Sequence, residues 1–142
     1  MKNIVFAAAL LAPTLGYAGD ITISDAVVPL APKGVMAHAA YMEVTNTGEV
    51  TRSIIGVSAS DYAMAHIHQS LEKDGVATMM SMHQLDIKPG QTVIFKPGGM
   101  HVMLMKPSAP LELGGSVEFE VEFANGETLP ITATVDRLDG SS

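Results

Sequence analysis

The sequence predicts a single all-β domain, a sandwich or a barrel, and three observations carry that prediction. The region after residue 18 consists of short runs in which apolar and polar residues alternate. Turn-forming residues separate these runs, as in Lys88-Pro89-Gly90 and Asn125-Gly126. No run in this region keeps a convincing helical period, and the composition does not change along it. With 142 residues, the chain has the length of one domain and a leader.

The leader is residues 1–18, with the sequence MKNIVFAAALLAPTLGYA. A basic residue, Lys2, precedes a short apolar run, and small residues surround the end at Ala18. This order is typical of a secretory signal peptide, and the run is too short to span a bilayer comfortably. We therefore expect cleavage after Ala18 and a domain of residues 19–142. The expected location is the periplasm, without embedding in a membrane.

Nine strands are predicted in order along this domain. The first ends at Pro29, the second at the turn Asn46-Thr47-Gly48, and the fourth and fifth flank a turn within residues 72–75. The clearest alternation is SVEFEVEF, the eighth strand. The predicted strands are 21–28, 40–45, 53–58, 64–71, 76–82, 91–95, 101–106, 116–123 and 129–135.

Charge and composition exclude several classes of function. The net charge of −7 disfavours nucleic acid as a partner, because phosphate binding needs a basic surface. The absence of cysteine excludes a thiol nucleophile and any thiolate metal site. No serine-histidine-acid arrangement or pair of carboxylates stands out, so we do not expect an enzyme. Methionine is abundant instead, at 10 residues.

Strand parity places histidine and methionine side chains together. His101 and Met103 share one face of their strand, since residues two apart point the same way. In the hairpin, a four-residue loop places His68 opposite Met79, whereas a two-residue loop places Met79 opposite Ser70. Both registers leave His68 and Met79 on one face. Two such pairs that converge would form a site of two imidazoles and two thioethers.

That set of donors favours monovalent copper. A thioether is a soft, neutral ligand that selects Cu(I), whereas Zn(II) prefers thiolate, imidazole or carboxylate. Each residue alone has a simpler explanation, because methionine is a common core filler and most lone histidines are structural or solvated. The combination with consistent parity is the stronger signal.

The spacing of these residues resembles a known family. Ten residues separate His68 from Met79, and twenty-one more precede the His-x-Met of His101 and Met103. Together with AAYMEVTNTG and LDIKPGQTVIFKPGGMHVMLM, this pattern resembles the PCuAC-type periplasmic copper chaperones over roughly residues 39–135. The resemblance implies a cupredoxin-like Greek-key β-sandwich. It also implies that His68, Met79, His101 and Met103 bind one Cu(I) per chain.

The resemblance further implies a monomeric metallochaperone that hands over copper without catalytic turnover. The acceptor would be the apo CuA domain of cytochrome c oxidase or a Sco-type protein. A copper-sequestering or resistance protein would use the same ligands, and sequence does not separate the two roles. An electron-transfer cupredoxin is disfavoured because a thiolate ligand is missing. A metal-free structural sandwich is the remaining alternative.

The chain departs from the family pattern near the first histidine. Many members carry a second methionine where this chain has Ser70, and the C-terminal DRLDGSS lacks the histidine- and methionine-rich tail of some members. His66 shares the face of His68, and His83 shares the face of Met79, so both are candidates for an auxiliary copper contact. Met80 and Met82 are expected in the core and His38 in a structural role.

Overall fold

The computed structural model describes residues 19–137 and shows ten β-strands. The predicted signal peptide, residues 1–18, lies outside the described residues. All nine predicted strands are present. The tenth strand, β6, was not predicted, because its three residues are too few to show an alternating pattern. The strands are β1 Ile21–Pro29, β2 Ala37–Asn46, β3 Arg52–Ser58, β4 Tyr62–Lys73, β5 Val76–Met82, β6 Leu85–Ile87, β7 Thr92–Phe95, β8 Met100–Pro107, β9 Ser116–Phe123 and β10 Thr128–Asp136.

The strands form one continuous hydrogen-bonded sheet in the order β5-β4-β8-β7-β2-β1-β10-β9-β3-β6. The β1–β10 pairing is parallel, and most other neighbours are antiparallel. Ile67 of β4 and Ile54 of β3 lie toward opposite ends of this order, yet both are buried in one hydrophobic cluster. The sheet therefore folds over on itself, so that two layers share one core. Across residues 19–137 we find no helix that could cross a membrane.

The core is built by strict alternation in β9 and β10. Every second residue of β9 is buried, and the intervening residues are exposed. The buried set is Val117, Phe119, Val121 and Phe123. Burying one such side chain fully stabilises the fold by about 1.5–3 kcal/mol relative to leaving it in water. The inward side chains of β9 therefore form part of the core against which the opposite layer packs.

His38 fastens β2 to β4 on the core side. Its ring is buried, and its Nδ1 atom lies 2.8 Å from the hydroxyl of Tyr62, the first residue of β4. A buried imidazole that keeps a hydrogen bond avoids the free-energy cost of an unpaired polar group. The structural role predicted for His38 agrees with this contact.

The β4–β5 hairpin has the shorter of the two loops considered above. Lys73 pairs with Val76, so only Asp74 and Gly75 form the loop, and both have positive φ, 54° and 80°. These values fit a tight type I′ hairpin turn. Met79 consequently lies opposite Ser70, and His68 lies diagonally from Met79.

The expectation that Met80 is a core residue is wrong. Met80 does point away from the face of Met79, as parity requires, but its side chain is 47% exposed. Leu71 and Val76 of the same hairpin are also exposed. We infer that this end of the hairpin projects past the opposite layer of the sandwich. Met82 lies nearer the sandwich and packs against the core.

Candidate metal centre

The outward face of β4 and β8 carries a ladder of imidazole and thioether side chains. The antiparallel register pairs Met64 with Met105, His66 with Met103, and His68 with His101. Side chains that lie directly opposite each other have Cβ atoms about 4.5–5.5 Å apart. We call these three cross-strand pairs the donor ladder: Met64/Met105, His66/Met103 and His68/His101.

The pair His68/His101 is the most enclosed part of the donor ladder. The two rings meet edge to face, with centroids 5.8 Å apart and an interplanar angle of 78°. His101 is only 5% exposed. Nδ1 of His68 and Nε2 of His101 are buried and have no hydrogen-bond partner among the described residues. A buried, unpaired nitrogen costs about 1–3 kcal/mol, so two on facing rings require an explanation such as a bound ion.

The electrostatic environment of His68 disfavours its protonated form. Burial of the ring lowers the pKa of His68 from its ordinary value, and the charges that His101 and His66 carry when protonated lower that pKa further. An imidazole must be deprotonated at the nitrogen that binds a metal. The lowered pKa therefore favours the form of His68 that can act as a ligand near neutral pH.

Met103 and Met79 border the histidine pair on two sides. Met103 is on the same face as His101, two residues further along β8, and lies opposite His66. Met79 lies opposite Ser70 on β5 and diagonally from His68. Diagonal neighbours are about 7–8 Å apart at Cα, within reach of a long side chain. The sheet thus brings all four predicted ligands to one face around His68, although they come from three strands.

The two auxiliary candidates differ in position. The ring of His66 stacks on that of His68, with centroids 6.0 Å apart and an interplanar angle of 4°. His66 is exposed on the donor ladder itself. His83 is also exposed, but it follows the last residue of β5 and lies in a bend. The structure therefore places His66 beside the predicted ligands and leaves His83 beyond the paired strands.

Sequence reasoning missed Tyr41, whose ring meets His101 edge to face at a centroid distance of 6.5 Å. Burial raises the pKa of the Tyr41 hydroxyl, so it stays protonated. Buried and less buried residues alternate along β2, and the outward positions include Tyr41, Glu43 and Thr45. Tyr41 is the aromatic residue among these three. That outward aromatic was an available signal, but its position beside His101 depends on the β2–β8 pairing.

Comparison with known proteins identifies the family. The family described as "Putative lipoprotein LpqE-like" matches residues 21–135. The chain is also 33% identical to the "Putative lipoprotein Lxx21020" of Leifsonia xyli subsp. xyli over 133 residues, which cover 92% of this chain and 79% of that protein. The chain belongs to the LpqE-like family. This family corresponds to the PCuAC family, so the resemblance found in the sequence is confirmed.

Solved structures of PCuAC domains share the fold of this LpqE-like chain. The copper-bound PCuAC domain from PmoF2 has a TM-score of 0.70 and 23% identity, over 84% of this chain and 95% of that one. The Cu(I) form of DR1885 from Deinococcus radiodurans has a TM-score of 0.65 and 28% identity, over 80% of this chain and 76% of that one. The predicted cupredoxin-like β-sandwich is confirmed.

The donors of this LpqE-like chain are neutral groups. The outward positions of β4, β5 and β8 around His68 are held by imidazole, thioether and hydroxyl side chains. Within residues 19–137, no three histidine or acidic side chains are placed to share a metal ion. A metal centre at this face therefore needs methionine sulfur in addition to imidazole, and that mixture suits a soft monovalent ion.

Proposed function

We propose that this chain binds one Cu(I) ion through His68, Met79, His101 and Met103. The observation that carries the proposal is the pair of buried nitrogens on His68 and His101, which lack hydrogen-bond partners among the described residues, on a face that also carries Met79 and Met103. Solved relatives include a copper-bound PCuAC domain and a Cu(I) form of DR1885. The family and the donor chemistry thus agree.

The arrangement suits a protein that holds copper and then releases it. His101 is buried and His68 is partly buried, so these two donors are the more enclosed ones. Met79 is 56% exposed and lies on β5, the outermost strand at this end of the sheet. An incoming acceptor ligand can displace this exposed thioether first, while the imidazoles still hold the ion. Exchange of one ligand at a time avoids the release of free copper.

The proposed role is that of an extracytoplasmic metallochaperone, which passes copper on without catalytic turnover. The lipoprotein-like relatives and the predicted signal peptide at residues 1–18 support the periplasmic location. We propose the apo CuA domain of cytochrome c oxidase, or a Sco-type protein, as acceptor. The competing role is sequestration of copper for resistance, with the same four ligands.

Binding is tested by anaerobic titration of the purified chain with Cu(I) against a chromophoric chelator. We expect one tightly bound ion, greatly weakened in Met79→Ala and lost in a variant that combines Met79→Ala with His101→Ala. Met80→Ala is the matched control, because Met80 is the next residue on β5, is 47% exposed and points to the other face. Equal copper binding by all four proteins would refute the proposed site.

Delivery is tested separately, by mixing the loaded chain with an apo CuA domain and recording the CuA absorption. Transfer at a rate faster than that from the same concentration of copper-chelator complex would support the chaperone role. Tight binding with no transfer to either the CuA domain or a Sco-type acceptor would favour sequestration. That result would leave the copper site itself intact.

His66 is the proposed auxiliary contact, and His83 is the less favoured candidate. The stacked position of His66 on His68 and its pairing with Met103 support this choice. We expect His66→Ala to weaken Cu(I) binding measurably and His83→Ala to leave it unchanged. No effect of His66→Ala on stoichiometry or affinity would end the auxiliary role.

A further inference from the structure

The far end of the donor ladder has no role in the four-ligand site. Met64 and Met105 lie opposite each other on the same outward face as His66 and His68. Since two residues advance a strand by roughly 7 Å, their pair lies about that far beyond His66/Met103. Met64 is 41% exposed, and Met105 is half-buried.

The flanking strand β2 covers these thioethers only in part. On β2, Ala37 lies opposite Met105 and Ala39 lies opposite Met103. Both neighbours are alanines, whose single methyl groups cannot cover the long side chains beside them. The layer that shields the opposite face of β8, where Val102 and Leu104 are fully buried, does not extend to this side. Apolar burial therefore does not account for methionine at both positions.

We propose that Met64, Met105 and His66 form a second Cu(I) subsite, weaker than the first and adjacent to it. The inference rests on the proposed function. Two opposed thioethers and the imidazole of His66 supply three neutral, soft or borderline donors from one face. Three donors, of which Met64 and His66 are exposed, bind more weakly than four donors that include an enclosed histidine pair, so this subsite fills second.

His66, the proposed auxiliary contact of the first subsite, connects the two subsites, and so does Met103, which lies opposite it. Met103 is a proposed ligand of the first, and it lies between His101 and Met105 on the same face of β8. Copper can therefore pass along the donor ladder by exchange of one ligand at a time, as it can toward an acceptor. The second subsite extends the path that an ion follows on arrival or departure.

The test uses methionine methyl signals of the purified chain during anaerobic titration with Cu(I). The first equivalent is expected to shift the signals of Met79 and Met103, and the second those of Met64 and Met105. The second phase should disappear when Met64→Leu and Met105→Leu are combined, because leucine keeps the apolar volume but removes the sulfur. Met80→Leu is the control, since Met80 is exposed and points away from the face of Met79.

Each outcome decides one of the two proposals. A first phase at Met79 and Met103 without a later shift at Met64 and Met105 overturns the second subsite and leaves the proposed function in place. A second phase that persists in the variant with both leucines also overturns it. If the first equivalent moves neither Met79 nor Met103, the proposed function is refuted and the second subsite is refuted with it.

Discussion

Two hairpins of this sandwich use the same backbone pattern for different purposes. The β9–β10 hairpin buries alternate side chains and turns Glu118, Glu120 and Glu122 outward. The β4–β5 hairpin buries little: in β5 every residue except Met82 is exposed. Its outward face, with that of β8, carries imidazole and thioether groups around His68, and the carboxylate of Glu72 lies on that face near the turn.

The difference shows which face of a strand is constrained by folding and which is available for function. Inward positions must be apolar in both hairpins where the opposite layer covers them. Outward positions of β9 are exposed, and carboxylates are well hydrated there. Outward positions of β4 and β8 hold imidazole and thioether donors, and the thioethers are poorly hydrated. The contrast between these two hairpins can be tested by substitution.

The largest expected effect is on the stability of the β9–β10 hairpin. Phe123→Ala removes a fully buried ring that also packs 4.7 Å from the guanidinium carbon of Arg52. We expect the free energy of unfolding to fall by about 3–5 kcal/mol, as for other buried phenylalanines. Chemical denaturation of the metal-free chain measures this loss. Met79→Ala, at an exposed site, should change stability by less than about 1 kcal/mol, and an equal loss in both would abolish the contrast.

Substitutions in the two hairpin turns are expected to reduce stability less, and they separate effects on stability from effects on Cu(I) binding. Gly75 and Gly126 both have positive φ, at 80° and 93°, and an added Cβ would meet open space at either. Alanine at each position should therefore cost about 1–2 kcal/mol of backbone strain. Only Gly75→Ala should also weaken Cu(I) binding, because the β4–β5 turn sets the register that places Met79 near His68. The chelator titration of both variants checks this, and equal affinities would contradict it.

Near neutral pH, the pH dependence of stability is expected to come from His38 and His68. Burial lowers the pKa of His38 in the folded chain, so the unfolded chain binds protons more readily. The stability of the metal-free protein should therefore fall as pH drops below about 6.5, the ordinary histidine pKa. His68 contributes in the same direction, because its pKa is also lowered.

Denaturation at pH 7.5 and pH 5.5 measures this dependence. His38→Gln keeps a polar group near the hydroxyl of Tyr62 but cannot titrate, so it should reduce the difference between the two pH values. Glu120→Gln is the control on the other hairpin. A difference unchanged by His38→Gln would show that His38 does not carry the effect.

The smallest effect on stability and on Cu(I) binding is expected when a thioether is added to the outward face of β9. Glu120→Met places a methionine among the outward positions of β9, away from the donor ladder. Stability should change by no more than about 0.5 kcal/mol, as is usual for surface substitutions. The Cu(I) stoichiometry should not change, because an isolated thioether has no neighbouring imidazole. An additional bound ion in the titration would show that methionine alone is sufficient.

Much of the fold could be predicted from local pattern. The alternation in Ser116–Phe123 and the turn at Asn125-Gly126 fixed a hairpin that the structure reproduces. Strand β6 escaped prediction because three residues are too few to show a period. Met80 was misjudged for another reason: parity gives the direction of a side chain but does not show whether an opposite layer covers it.

The site could be predicted only within each local unit. Strand parity paired His101 with Met103, and His68 with Met79 in either hairpin register. Parity could not show that β4 and β8 are neighbours, which places His68 directly opposite His101. Long-range pairing likewise places Tyr41 beside His101 and Met64 opposite Met105. Each of these relations depends on sheet order, which a single sequence does not encode locally.

The pairing of β4 with β8 also bears on whether folding or metal loading comes first. His68 and His101 are 33 positions apart in the chain, so their contact requires closure of a long loop. Contacts between distant residues form slowly in β-rich folds. A chain that has not finished folding presents only scattered donors, and the enclosed pair exists once the sheet is complete. At the proposed site, metal loading should therefore follow folding, and its onset would report when a newly made chain has matured.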